Sequence, residues 1–275
     1  LALAGLIDGF EALPGKIIML EPRRIAARMA AQRMAQTLGE PLGKRIGLST
    51  RVDRKISKET LVEVVTDGLF TRRLLNDPEL SGVSAVIFDE IHERSLSADL
   101  GLALALEVQG ALRQDLHLLA MSATLDTAEM AEKLDAPVIE SEGRQYPVET
   151  RYVGRSQDRL EDQMARAIER AVRETDGSIL AFLPGAGEIR RTAERLSHLS
   201  DVLIAPLFGA LSPQDQDAAI RPCAEGNRKV VLATDIAESA LTIEGVSVVV
   251  DSGYARVPRY VPGGLPTALQ TVRAA

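Results

Sequence analysis

Val83-Ser84-Ala85-Val86-Ile87-Phe88-Asp89-Glu90-Ile91-His92 is the stretch on which the reading of this chain turns. Its first six residues form an almost unbroken apolar run, the pattern of a parallel strand buried on both faces. Polar residues at the carboxyl end of such a strand face the crevice in which α/β sheets bind ligands. One carboxylate there can hold a hydrated Mg²⁺, and the next can orient a water against a terminal phosphate. Taken alone, a polar tetrapeptide after an apolar run is also simply where a strand meets a solvated loop. Two further segments repeat the arrangement, however: Ser122-Ala123-Thr124 follows the apolar run 116–121, and Thr234-Asp235-Ile236-Ala237-Glu238 follows 230–233. Three polar signatures at three strand ends point to a nucleotide-hydrolysing motor.

The remaining composition narrows the class. With 275 residues and 45% hydrophobic content the chain can build a sizeable core, and its length suits one or two domains, of which we expect two. Aromatic residues make up only 3% and Trp is absent, so the core must be aliphatic, as in helices packed on parallel strands. The expected fold class is therefore α/β. The single cysteine, Cys223, cannot form an internal disulfide, and His92, His117 and His198 are too scattered for a zinc site, so an intracellular, cytoplasmic protein is expected. The opening apolar residues 1–7 are short, lack a basic leader and run into Asp8, unlike a signal peptide or membrane span. The chain does not begin with Met, which points to a fragment.

A net charge of −7 argues against gripping nucleic acid by bulk electrostatics. Any such contact must be local. Lys44, Arg45, Arg51, Arg54, Lys55 and Lys58 cluster around a single acid, Asp53, and charge alone reads this cluster as a solvated basic loop.

Strand and helix signals alternate along the chain. A strand over 16–20 precedes a helix over 24–38, broken by Gly39-Glu40-Pro41-Leu42-Gly43. A strand over 61–65 ends in Thr66-Asp67-Gly68 and leads into a helix over 69–75, stopped by Asn76-Asp77-Pro78. Such alternation implies parallel crossovers. The polar stretch 140–147 carries Gly and Pro and reads as an interdomain linker, giving a first domain over 1–142, a linker over 143–150 and a second domain over 151–275. The second set of signals comprises helices over 159–174 and 188–199 and strands over 178–183, 202–206, 229–233 and 246–250.

Leu20-Glu21-Pro22-Arg23-Arg24 sets two guanidinium groups at a helix start, where free N–H groups and the macrodipole attract phosphate. Arg23 and Arg24 are the phosphate candidates; Arg28 reads as a residue of a wet helix face. Thr66 and Asp67 read first as a helix cap, although a capping Thr can also meet a phosphate. Ser122 and Thr124 could likewise cap a helix or connect to Asp89 and Glu90.

The ordered set LEPRR, TDG, DEIH, SAT, Phe182-Leu183-Pro184-Gly185 and the segment TDIAESALTI over 234–243 resembles the DEAH-box family of ATP-dependent helicases, most of all its bacterial HrpB-type members. The resemblance spans nearly the whole chain and rests on the joint order and spacing of motifs that are individually weak. It implies two RecA-like domains with mainly parallel sheets, each incomplete at one end, with ATP and Mg²⁺ as cofactors and single-stranded nucleic acid, RNA by the family's activity, as partner. Asp89 would bind Mg²⁺ through water, Glu90 would orient or deprotonate the attacking water, and His92 would couple the site to the second domain. Ser122, Thr124, Asp235 and Ser239 would transmit nucleotide state, and Arg33 would stack on adenine, although Ile220 stands where some relatives offer an aromatic ring. Arg23, Arg24, Thr66, Asp67, Gly68 and Thr234 would line the strand's backbone, guided by the basic turn at Arg51.

The chain departs from that pattern in four places. No GxxxxGK followed by Ser or Thr occurs; Leu13-Pro14-Gly15-Lys16 is a decoy, with Phe10 at the first Gly position and Ile17 after the Lys. The chain stops before the family's arginine-rich motif, worth about 10³- to 10⁵-fold in phosphoryl transfer. Asp235 replaces a usual Asn and Ala240 a usual Ser. As it stands the polypeptide is expected to be inactive by itself, and the alternative reading is a non-hydrolysing nucleic-acid-binding or scaffold module.

Overall fold

A computed structural model describes residues 14–123, 128–141, 146–154, 156–224, 226–238, 241–259 and 268–273. Thr124, Ser239, Ala240 and part of the expected linker lie outside the described residues. The chain divides into two compact units, Leu1–Arg144 and Gln145–Ala275.

The first unit contains, in chain order, β1 (Lys16–Glu21), α1 (Arg24–Thr37), β2 (Ile46–Ser49), β3 (Arg54–Lys55), β4 (Val62–Thr66), α2 (Asp67–Asn76), β5 (Val83–Phe88), α3 (Leu96–Ala111), β6 (His117–Ala120) and α4 (Ala128–Leu134). Its strands form one sheet in the order β3-β2-β4-β1-β5-β6, parallel except for β3, which runs antiparallel to β2. Period-two alternation divides the apolar residues of the central strands between two faces. Ile18, Leu20, Val65 and Phe88 pack with Phe70 and Leu102 of α2 and α3, whereas Ile17, Met19, Val64 and Ile87 pack with Ala27 and Ala31 of α1. Phe70 and Phe88 meet edge to face, 5.7 Å between centroids, anchoring α2 to the middle of the sheet. Both faces of β5 are thus covered, which is why it reads as a continuous apolar run.

At the opposite end of β1, a Cβ on Gly15 would come within 2.7 Å of the Gly82 carbonyl oxygen, and the Lys16 N–H donates to that same oxygen at 2.8 Å. The Pro-Gly pair is therefore a tight entry into the sheet. On the far side, β6 ends the strand order, and its outer edge has no strand neighbour among the described residues. A groove of about 380 Å³ runs beside it, lined by Leu106, Leu118, Leu134 and Pro137 among others.

The second unit contains α5 (Leu160–Glu174), β7 (Ser178–Phe182), α6 (Ala186–Arg195), β8 (Leu203–Leu207), α7 (Pro213–Ile220), β9 (Lys229–Ala233), β10 (Val246–Asp251), β11 (Tyr254–Arg259) and β12 (Ala268–Arg273). Four of its strands form a parallel sheet in the order β10-β7-β9-β8, and β11 and β12 make a separate antiparallel pair. Met164, Ile168, Ile189, Val230 and Leu232 form its core. Lys229 is buried at the start of β9 and donates from Nζ to the carbonyls of Ala219 and Arg221, each at 2.6 Å. It thereby satisfies groups that the last turn of α7 leaves without helical partners.

The mainly parallel α/β architecture is the expected one, with local corrections. The basic segment around Arg51 is not a loop but the β2–β3 hairpin, whose turn is tied by Thr50 Oγ1 accepting from the Asp53 N–H at 3.0 Å. Arg28 is not on a wet helix face: α1 turns it inward and it is 9% exposed. The helix expected over 188–199 starts earlier and ends at Arg195.

Candidate functional site

β1, β4, β5 and β6 end at one edge of the first sheet, with Glu21 opposite Thr66, Leu20 opposite Phe88, and Phe88 opposite Ala120. The carboxylates gather here. The Asp89 N–H donates to the Leu20 carbonyl at 3.2 Å, and Asp89 Oδ1 accepts from the Glu90 N–H at 2.8 Å. Glu90 has left-handed backbone (φ 50, ψ 38), as does Arg94 (φ 51, ψ 46), and the two bracket a 3-10 turn over Ile91–Glu93. Such a conformation costs a residue with a Cβ about 1–3 kcal/mol and persists where its surroundings enforce it.

Glu21, which sequence reasoning passed over, belongs to this cluster. It is 3% exposed. Burial, then the charge of Asp89 and a hydrogen bond to it, push Glu21 far above the usual carboxylate range. Glu21 therefore keeps its proton and donates to the Asp89 carboxylate. Asp89 is itself raised by burial, an effect partly offset by the Glu90 N–H, Glu21 and His92. Burial and then the Asp89 charge also raise Glu90, which suits a group that must accept a proton from water. The signal available in the sequence was an acid at the carboxyl end of a buried strand, flanked by Pro.

The SAT signature meets DEIH through backbone and imidazole. The Met121 N–H donates to the Phe88 carbonyl at 2.8 Å and the Ile91 N–H to the Met121 carbonyl at 3.0 Å. The Ala123 N–H donates to His92 Nδ1 at 3.4 Å, while His92 Nε2 lies 3.3 Å from Glu90 Oε2. A ring that accepts at Nδ1 presents its other nitrogen, Nε2, to Glu90. Ser122 is exposed beside this contact.

The residues expected to meet nucleic acid separate on inspection. Arg24 opens α1 and is exposed; Arg23 is its N-cap residue, half-buried, with Nε 3.7 Å from Glu93 Oε2. Thr66 occupies the N-cap position of α2, yet its hydroxyl makes no capping hydrogen bond. Asp67 is buried, and Ser95 Oγ donates to its Oδ2 at 2.9 Å. Gly68 is exposed, and a Cβ there would meet nothing within 4 Å, leaving the backbone open to a ligand. Arg51 is exposed at the hairpin tip. Arg33 is exposed on α1 nine residues beyond Arg24, about 14 Å along the axis, and the structure does not bring it to the carboxylates. In the second unit Thr234 follows β9 and its hydroxyl accepts from the Ile236 N–H at 3.5 Å, with Asp235 exposed beside it.

The donor set fits Mg²⁺. The carboxylates at this edge offer oxygen only, as a hard cation requires, and among the described residues no group of three or more His, Cys, Asp or Glu is disposed to cage a metal. Asp89 would hold such an ion through water, which needs no such cage. Lys16 does not fit a phosphate-loop role: it starts β1, about 16 Å along the strand from the edge where the carboxylates lie. No helix among the described residues is long and apolar enough to cross a membrane.

Comparison with known proteins agrees with this geometry. Residues 157–264 match the helicase conserved C-terminal domain. The ATP-dependent RNA helicase HrpB of Escherichia coli (strain K12) is 52% identical over 263 residues, which cover 94% of this chain and 32% of that protein. The HrpA homolog of Haemophilus influenzae, also an ATP-dependent RNA helicase, is 39% identical over 90% of this chain and 19% of its own length. The crystal structure of the Escherichia coli DEAH/RHA helicase HrpB superposes with a TM-score of 0.88 at 53% identity, over 95% of this chain and 34% of that one. The chain thus spans about a third of HrpB. Its two-unit, mainly parallel architecture is RecA-like, its second unit carries the helicase conserved C-terminal domain, and over nearly its whole length the chain is similar to the HrpB-type ATP-dependent RNA helicases.

Proposed function

We propose that, within a helicase that contains it, this chain couples ATP hydrolysis to movement along single-stranded RNA. The supporting observation is the convergence of Asp89, Glu90, His92 and Ala123 at adjoining strand ends, joined by hydrogen bonds and an ion-pair contact. When bound, Mg²⁺ and ATP supply the polarised terminal phosphate. Asp89, steadied by Glu21 and the Glu90 N–H, would hold the hydrated ion. Glu90 orients the attacking water and accepts its proton, helped by its raised pKa. His92 carries the state of this site to the SAT loop through Ala123. Arg23, Arg24, Arg51, Thr66, Gly68 and, in the second unit, Thr234 contact the strand's backbone, which positions the RNA without reading its bases. The cytoplasm is the compartment this reading expects.

The test is RNA-stimulated ATPase of a polypeptide joining this chain to a phosphate loop and an arginine-rich segment. Glu90→Gln is expected to lower turnover about 10²- to 10⁴-fold while sparing RNA affinity; unchanged turnover sinks the role of Glu90. A second reading, a non-hydrolysing nucleic-acid-binding or scaffold module, rests on the exposed Arg24, Arg51 and Gly68 alone. It prevails if the joined polypeptide binds RNA and never hydrolyses ATP.

A further inference from the structure

Ser95 is the first residue after the strained turn that carries Glu90, and it is the N-cap of α3. A hydroxyl has one proton to give and two lone pairs to offer. The Ala98 N–H takes a lone pair at 3.0 Å, and the proton goes to Asp67 Oδ2 at 2.9 Å. Asp67 opens α2 and is 5% exposed, so little water competes for that bond. The contact continues along the two helices. Thr71 Oγ1 donates to the Ser97 carbonyl at 3.3 Å, and a Cβ on Gly101 would come within 3.2 Å of Phe70 Cδ1. So close an approach leaves the starts of α2 and α3 little room to move separately.

Toward Glu90 the backbone is equally constrained. The Glu93 N–H donates to the Glu90 carbonyl at 2.9 Å and the Arg94 N–H to the Ile91 carbonyl at 3.2 Å, between the left-handed Glu90 and Arg94. Ser95 therefore follows Glu90 through a turn with few free torsions. Toward α2, Asp67 sits between Thr66, whose hydroxyl makes no cap, and Gly68, whose backbone is open.

We infer that Ser95 is a positioning residue: its hydroxyl couples the Glu90 turn to the start of α2, so that a strand held there steadies the geometry of Glu90. This rests on the reading that Thr66 and Gly68 face the strand. A phosphate bound at the start of α2 fixes Asp67, Asp67 fixes Ser95, and the costly backbone of Glu90 becomes better enforced. Because linkage is reciprocal, whatever holds the Glu90 turn favours the strand by the same factor.

The experiment is hydrogen exchange of the 275-residue chain with and without a single-stranded oligouridylate at low salt, with melting curves to check folding. The unaltered chain is compared with Ser95→Gly and Ser95→Thr. Gly is tolerated at an N-cap but has no hydroxyl, so Ser95→Gly removes the bond to Asp67 and largely spares the helix start. Ser95→Thr keeps both. In the unaltered chain, oligouridylate is expected to slow exchange at Gly68 and, by about fivefold, at the amides of Glu90, Ile91, Glu93 and Arg94. In Ser95→Gly the slowing stays at Gly68 and is lost from the turn; Ser95→Thr behaves as the unaltered chain. A merely structural Ser95 would shift free and bound exchange together and leave their ratio at the turn unchanged.

Slowing at the turn that survives in Ser95→Gly overturns the inference, as does a Ser95→Thr chain that behaves like Ser95→Gly. Should Ser95→Gly melt below the assay temperature, the unaltered chain still decides: slowing at Gly68 without slowing at the turn overturns the inference and leaves the RNA reading standing. If oligouridylate does not bind, or does not slow Gly68, the reading of the α2 start as a strand contact fails and takes the inference with it.

Discussion

Glu21 keeps a proton that its unfolded counterpart loses near the ordinary carboxyl value of 4.5. A folded-state pKa raised in this way means the native chain binds more protons than the unfolded one, so stability falls as pH rises above about 4.5. The loss reaches at most about 1.4 kcal/mol per pH unit until the raised value is passed. Glu21→Gln keeps a donor for Asp89 and cannot ionise. In metal-free buffer it is expected to stabilise the first unit by about 1–3 kcal/mol at pH 7 and by almost nothing at pH 4, read from urea midpoints at the two values. Equal midpoint shifts at both would mean Glu21 is ionised in the fold. The sequence displayed this residue between an apolar strand and two arginines, and the arginines drew the reading. What distinguishes Glu21 is a cross-strand neighbour sixty-eight positions away, information that periodicity does not carry.

Elements whose burial is uniform were legible, and those stabilised by a few local bonds were not. β1, β4 and β5 read clearly because helices and partner strands cover them and their apolar runs say so. β3 has only Arg54 and Lys55, both exposed, so its pairing with β2 left no apolar trace. The β11–β12 hairpin stands apart from the main sheet, and α7 is largely polar, which hides both from a search for apolar runs. At the start of α3 a local bond serves two elements. Ser95 Oγ accepts from the Ala98 N–H at 3.0 Å and donates to Asp67 Oδ2 at 2.9 Å, tying the α3 cap to the first residue of α2. Ser95→Ala is expected to cost about 2 kcal/mol, a lost cap plus a buried carboxylate without its donor. Because Ser95 lowers a pKa that burial raises, its removal raises Asp67 further, and the loss should grow as pH rises through the raised folded-state value of Asp67. A loss independent of pH in urea melts would confine the effect to the cap.

Across the whole molecule, a net charge of −7 coexists with only a few arginines on the proposed RNA face. Affinity for single-stranded RNA should accordingly depend on few ionic contacts. Replacing Arg23 and Arg24 together by Ala is expected to flatten the log–log salt dependence by about 1.4, roughly 0.7 per phosphate contact. An unchanged slope would return both residues to a solvated helix face. The outer rim of β6 carries a different consequence. Backbone donors and acceptors that meet no strand among the described residues, beside a groove lined by Leu106, Leu118, Leu134 and Pro137, form a ready template for the same segment of another molecule. Kept alone at high concentration, the polypeptide is thereby exposed to edge-to-edge self-association, and its solubility depends on how that rim is covered.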